Sequence, residues 1–205
     1  MLADKSIKEF LARTASDDPA PGGGSIAALC GAVACALVSM VASLTVNNQK
    51  YVEVRGQMKG LIDKSPGLIN FFMEQMEADA HVFNGVIEAY RMPKSSPQEK
   101  AVRSEAIQQG LKEAAEIPMA VADKALAAMD MIETAVEKGN SQAVTDGAVA
   151  AMMARTAILS ALYNVEINLK SIKDNEYRER MQVQIRELRE RAAARESQIL
   201  EKVEI

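Results

Sequence analysis

The chain has 205 residues, 48% of them hydrophobic and 25% charged, enough for one core that buries about 70% of the unfolded chain's surface. Lys and Arg number 24 against 28 Asp and Glu, a net charge of −4, and aromatic residues make up only 4% with no Trp. That balance excludes the basic face and stacking platforms of a nucleic-acid binder. The 33 alanines and 6 prolines bias the chain strongly towards helix, and a single domain over residues 1–205 is expected. Cys30 and Cys35, five apart on a helix, point about 140° from each other and cannot bridge. His81 is the single histidine, so no set of imidazole and thiolate ligands for zinc is present. The N-terminus shows no basic segment followed by an apolar one, and a reduced, cytoplasmic protein is the simplest expectation.

The breakers divide the chain into about six helices. A short amphipathic helix covers roughly Ser6 to Thr14 and is followed by the loop Ser16-Asp-Asp-Pro-Ala-Pro-Gly-Gly-Gly-Ser25. A second helix is expected from about Ser25 to Asn48, and a third from Tyr51 to Arg91, bent at Pro66. Ser96-Pro97-Gln98-Glu99 reads as a capping box that opens a fourth helix, running through Pro118 to about Lys138. A fifth spans about Gln142 to Lys170. Asp174 caps a sixth, whose Met181, Ile185, Leu188, Ala192 and Ile199 form a docked edge in preference to a true coiled coil.

No charge occurs in the 31 residues between Asp18 and Lys50. The stretch is long enough to cross a bilayer, but it is built from small residues with Ser39, Ser43 and Thr45, and no second span partners it. Ala28, Ala32 and Ala36, with Ala27 and Gly31, let other backbones approach closely. A helix apolar all round belongs inside an assembly, so a central helix of a homodimer is expected and a membrane span is not.

Pro19-Ala-Pro-Gly-Gly-Gly-Ser25 ends at a helix N-terminus. Successive glycines permit positive φ and leave amides bare, and the helix start adds about half a positive charge, an arrangement suited to a carboxylate, phosphate or carbonyl oxygen. It is neither a Walker loop nor a nucleophile elbow. By itself a triple glycine is better explained by a plain flexible loop.

The segment Pro19-Ala-Pro-Gly-Gly-Gly-Ser-Ile-Ala-Ala-Leu-Cys-Gly-Ala32, continued to Met40-Val-Ala-Ser-Leu-Thr45, resembles the opening of the formiminotetrahydrofolate cyclodeaminase / methenyltetrahydrofolate cyclohydrolase family. Asp79-Ala-His-Val-Phe-Asn-Gly-Val86 with Ala89 to Lys94, then Gly139-Asn140 with Thr145-Asp146 and Val149 to Ala151, then Asn164 to Leu169, match in order. The resemblance implies an all-α array of long helices, a dimer and a reduced folate carrying a one-carbon unit as substrate. It is similar to stand-alone microbial members, since no formyltransferase-like segment precedes it. Ala34 stands where the family often has Gly, Gln142 where it has Asn and Thr145 where it has Ser. The last two border the expected site and leave open which related reaction is catalysed.

Both family reactions call for a proton carrier of near-neutral pKa and a polar clamp on the pterin, with no metal and no cofactor beyond the tetrahydrofolate-borne substrate. Asp146, one turn into an apolar helix, is the first candidate carrier and Asp79 the second. Gly22, Gly23, Gly24 and Ser25 are expected to contact the substrate, and Arg91 and Lys94 its glutamate carboxylates. His81 reads better as structural. Asn164 and Asn168 share a face, but Asn164 lies five turns and about 27 Å from Asp146, so the two cannot meet a compact ligand within one subunit. A cyclodeaminase is the main reading and a cyclohydrolase the alternative. A non-enzymatic helical dimerisation protein is more remote, because it gives the glycine loop no purpose.

Overall fold

A computed structural model describes residues 1–204. Six α-helices and two short 3-10 turns occur among them, and no strand: α1 (Ile7–Thr14), α2 (Gly23–Val46), α3 (Arg55–Arg91), α4 (Pro97–Lys138), α5 (Val144–Leu169) and α6 (Asn175–Leu200), with the turns at Gln49–Val54 and Ser141–Ala143. The boundaries follow local chemistry. Ser6 and Ser96 each accept from the amide three residues on while Glu9 and Glu99 reach back, completing two capping boxes, and the Asp174 side chain accepts from the Tyr177 amide. α3 runs on through Pro66 without ending, and α4 does the same through Pro118.

α2 to α5 form an up-down four-helix bundle joined by short connections. Ser25 meets Asp79 and Gly31 meets Phe72, which sets α2 antiparallel to α3. Gly110 against Val86 sets α3 antiparallel to α4, and Gly147 against Val136 sets α4 antiparallel to α5. The ring closes where Gly23 lies beside Asn164 and the Asn140 amide donates to Thr45 Oγ1 at 2.8 Å. Phe72, Met58, Met76, Met129, Ile132, Ile158 and Leu162 fill the centre. A Cβ at Gly31 would stand 2.6 Å from the Phe72 ring, so the missing side chain is what admits the largest core residue. α6 docks along α4 and α5 through the expected edge, all five residues of which are buried. Arg195, bound to Asp130 and Glu133 at 2.7 Å, and Lys202, bound to Glu133 and Glu137, fasten its end.

α2 is not surrounded by its own chain. Ala27, Ala28, Ala34, Val38, Val41 and Ala42 are buried, yet Val33, Met40 and Leu44 are exposed along one side. Both α2 and the Ser141–Leu169 segment are long and apolar enough to cross a membrane, and each buries only about half of that stretch in the bundle.

The helices are not flush. α2 begins at Gly23 opposite Asp79, whereas α3 continues to Arg91 and α4 starts back at Pro97. Beyond Gly23 the bundle therefore loses one of its four helices, and the α3–α4 hairpin overhangs. The candidate site lies at that step.

Candidate functional site

A cavity of about 210 Å³ opens where α2 stops. Pro19, Ala20, Gly22, Gly23 and Gly24 form one wall, Asp79, Val82 and Phe83 of α3 a second, Ala114 and Ile117 of α4 a third, and Asn164, Ile167 and Asn168 of α5 the last. The apolar walls suit a flat ring, while the polar atoms gather at the first turn of α2.

The glycines line the cavity without the positive φ expected of them. No glycine among the described residues has positive φ, and Gly23 and Gly24 already lie inside α2, two residues before its expected start. What they supply is room. A Cβ on Gly24 would fall 2.0 Å from Asp79 Oδ1, and one on Gly23 would fall 3.2 Å from Asn164 Nδ2. The N-cap of α2 is Gly22, which has no side chain to satisfy the orphan amides of the first turn. Asp79 arrives from α3 and sets its carboxylate against that positive end.

Ser25, expected among the substrate contacts, is fully buried and lies behind the carboxylate. Its Oγ is 2.9 Å from Asp79 Oδ2 and 3.2 Å from the Met76 carbonyl oxygen, either of which can accept its proton. Burial pushes the Asp79 carboxyl above the usual carboxylate range, and the hydroxyl and backbone amide of Ser25 only partly oppose the rise. Asp79 is thus oriented from behind and half-desolvated in front, as a group that exchanges protons requires.

The two asparagines divide their work. Asn168 Nδ2 donates to the Ala114 carbonyl and the Asn164 carbonyl, both at 2.9 Å, and pins α5 to α4. Asn164 Nδ2 donates to the Ser160 carbonyl at 2.8 Å, and its Oδ1 accepts no bond among the described residues, which leaves it available at the cavity. The apolar walls Val82, Ile117 and Ile167 carried no signal in the sequence, since any apolar residue at those positions reads as core. Asn164 did carry one: an asparagine repeated four positions on, on the same face of α5.

Other expected residues lie elsewhere. Asp146 is in the first turn of α5, five turns from Asn164, and does not line the cavity of its own chain. Arg91 is exposed, paired with Glu88 at 2.9 Å, and Lys94 is exposed just beyond it; Arg91 is about 18 Å along α3 from Asp79. His81 is exposed and borders a shallow hollow beside the N-terminal segment. Cys30 and Cys35 are both free thiols.

These features define a class: an all-α bundle whose cavity joins helix-start amides to a desolvated carboxylate. The model of the formiminotransferase-cyclodeaminase family matches residues 6–187, and the chain belongs to that family. A methenyltetrahydrofolate cyclohydrolase of Methylorubrum extorquens is 37% identical over 99% of this chain and 98% of its own length. The formimidoyltransferase-cyclodeaminase of Mus musculus is 30% identical over 99% of this chain, which spans only 38% of that longer protein. The crystal structure of formiminotetrahydrofolate cyclodeaminase from Thermotoga maritima superposes with a TM-score of 0.88 at 29% identity, covering 99% of this chain and 98% of that one.

Proposed function

We propose that this protein is a one-carbon folate enzyme that closes 5-formiminotetrahydrofolate to 5,10-methenyltetrahydrofolate with release of ammonia. The observation that carries the reading is Asp79, held by Ser25 at the N-terminus of α2 with its carboxyl raised by burial inside a cavity that joins three of the matched segments. N10 attacks the formimino carbon and forms the C–N10 bond. The N10 proton passes to the formimino nitrogen, a second proton completes ammonia, and the C–N bond to that nitrogen breaks. Asp79 carries the proton between the two nitrogens, and burial, which raises its carboxyl from the ordinary value, eases the protonated half of that exchange. The first-turn amides of α2 and Asn164 Oδ1 hold the polar edge of the pterin, and Phe83 and Ile117 flank its face. Arg91 and Lys94, on the overhang, receive the glutamate carboxylates of an extended folate.

A second reading is supported by the 37% identity to the Methylorubrum cyclohydrolase over nearly its full length. In that reaction water adds to the methenyl carbon, and the ring opens to 10-formyltetrahydrofolate with loss of a proton, which Asp79 again carries. Methenyltetrahydrofolate absorbance followed with each substrate separates the readings: a rise from the formimino compound supports the first, a fall from the methenyl compound supports the second, and no change in either refutes both.

A further inference from the structure

The buried hydroxyl behind Asp79 has an uneven set of partners. Ser25 is fully buried, and its Oγ stands 2.9 Å from Asp79 Oδ2 and 3.2 Å from the Met76 carbonyl oxygen. The carbonyl is always an acceptor, an ionised carboxylate is an acceptor only, and a hydroxyl owns one proton. Among the described residues no group donates to Ser25 Oγ. With Asp79 ionised, then, one of the two acceptors goes without the hydroxyl's proton, and the hydroxyl's own lone pairs stay empty in a place that water does not reach. A proton on Asp79 Oδ2 repairs the count. Asp79 then donates to Ser25 Oγ, Ser25 donates to the Met76 carbonyl, and two donors serve two acceptors in one line.

We infer that the Ser25 hydroxyl is a two-position switch, donating to Asp79 Oδ2 when the carboxyl is ionised and turning to the Met76 carbonyl when Oδ2 holds a proton, so that the inner oxygen stores the proton that Asp79 exchanges with substrate. Ser25 thus acts through Asp79, as a positioning residue. The two carboxylate oxygens have different surroundings: Oδ2 is held by Ser25, while Oδ1 lies against the bare face of Gly24, which lines the cavity. For its catalytic use the switch rests on the folate reading. There Asp79 gains the proton that N10 loses and later gives it to the departing nitrogen. The Ser25 O–H bond turns about Cβ–Oγ and never breaks, so both residues end the cycle with the protons they began with. Because the hydroxyl bonds both forms of Asp79, the charged one more strongly, it lowers the carboxyl only in part against the rise that burial causes. No other group competes for the role. Asp79 is the single titratable residue among those lining the cavity, α2 carries no charge, and α4 and α5 contribute only apolar residues and asparagines there. On α3 itself, Glu77 accepts from the Ala3 amide at 2.8 Å and His81 borders the hollow beside the N-terminal segment.

The test reads the Met76 carbonyl in wild-type protein. Labelling Met with carbonyl ¹³C and Glu with ¹⁵N leaves two linked peptide signals, Met73–Glu74 and Met76–Glu77, since no other Met precedes a Glu. The Asp79 carboxyl is followed by NMR in a parallel sample labelled at aspartate. As pH falls through its titration, the Met76 carbonyl carbon should move downfield on gaining the Ser25 proton, while that of Met73, one turn back, stays in place. Ser25→Ala and Asp79→Asn should each abolish the movement. A Met76 signal that stays fixed through the wild-type titration, or that moves as far in Ser25→Ala, overturns the switch. Turnover supplies the second arm. Ser25→Ala, folded by circular dichroism, should lower kcat about three- to tenfold with KM retained, the worth of one ordinary hydrogen bond. An unchanged kcat would remove the hydroxyl from the proton exchange and overturn its catalytic use. If wild-type protein acts on neither folate, the folate reading fails, and the carbonyl titration still decides whether the hydroxyl turns.

Discussion

Gly24→Ala separates folding from chemistry more sharply than any other single change. The added methyl would lie 2.0 Å from Asp79 Oδ1, 2.5 Å from Cγ and 2.8 Å from Oδ2. Ordinary contact begins at 3.4 Å, so the carboxylate must retreat by about 3.4 − 2.0 = 1.4 Å. Alanine gains up to about 1 kcal/mol of helix propensity over glycine. Moving Asp79 weakens its bond with Ser25, a charge-assisted bond worth about 1.5–3 kcal/mol. The variant therefore loses only about 0.5–2 kcal/mol and melts a few degrees lower. Catalysis responds differently, since a displacement on the order of 1 Å at a reacting group costs about 10²-fold. Gly23→Ala needs a shift of only 3.4 − 3.2 = 0.2 Å by the Asn164 amide, and a Cβ on Gly22 would meet the Pro19 carbonyl at an ordinary 3.7 Å. Turnover measured by methenyl absorbance should therefore stay near wild type for Gly22→Ala, fall modestly for Gly23→Ala and fall at least about 10²-fold for Gly24→Ala, with all three proteins folded by circular dichroism. A Gly24→Ala protein as active as Gly22→Ala would refute the placing of Asp79 in the reaction.

The remaining expectations probe the same cavity and its supports. Asp79→Asn keeps an acceptor for Ser25 but removes a desolvated charge. Because burial raises the Asp79 pKa in the folded state, the stability linked to its proton is fully present below the unfolded value of about 3.9 and is lost as pH climbs through the folded one. Melting temperatures of Asp79→Asn and wild type should thus coincide in acid, with the variant equal or higher at neutral pH; a variant less stable only at neutral pH would contradict the raised pKa. Ser25→Ala withdraws a bond that holds the carboxyl down, so the acidic limb of the kcat/KM profile should move to higher pH, and an unmoved limb would show that Asp79 does not set it. Gly31→Ala drives a methyl to 2.6 Å from Phe72 and should cost about 1–3 kcal/mol in urea unfolding while leaving kcat unchanged; an unaltered midpoint would mean the α2–α3 contact is looser than described. Lys94→Ala and Arg91→Ala should raise KM for a polyglutamylated folate with kcat retained, and an unchanged KM would free both from substrate contact.

The helices were legible in the sequence because their punctuation is local: two capping boxes, the Asp174 cap and the periodic edge of α6 each act within a few residues. The glycine loop and Asp79 were legible too, but what joins them was not. Gly24 looks in sequence like a residue chosen for backbone freedom, and only the antiparallel register of α2 on α3 reveals it as a space left for a carboxylate 55 positions away. Ser25 likewise reads as part of an anion-binding loop until the first turn of α2 rotates its hydroxyl inward towards Met76 and Asp79. Periodicity identifies which residues share a face of one helix, and it is blind to where a neighbouring helix ends. The cavity exists because α2 stops at Gly23 while α3 and α4 continue, a consequence of three helix lengths and two registers together. The uncharged stretch implied a face in need of cover, and the 27 Å spacing of Asp146 from Asn164 excluded a shared site within one chain.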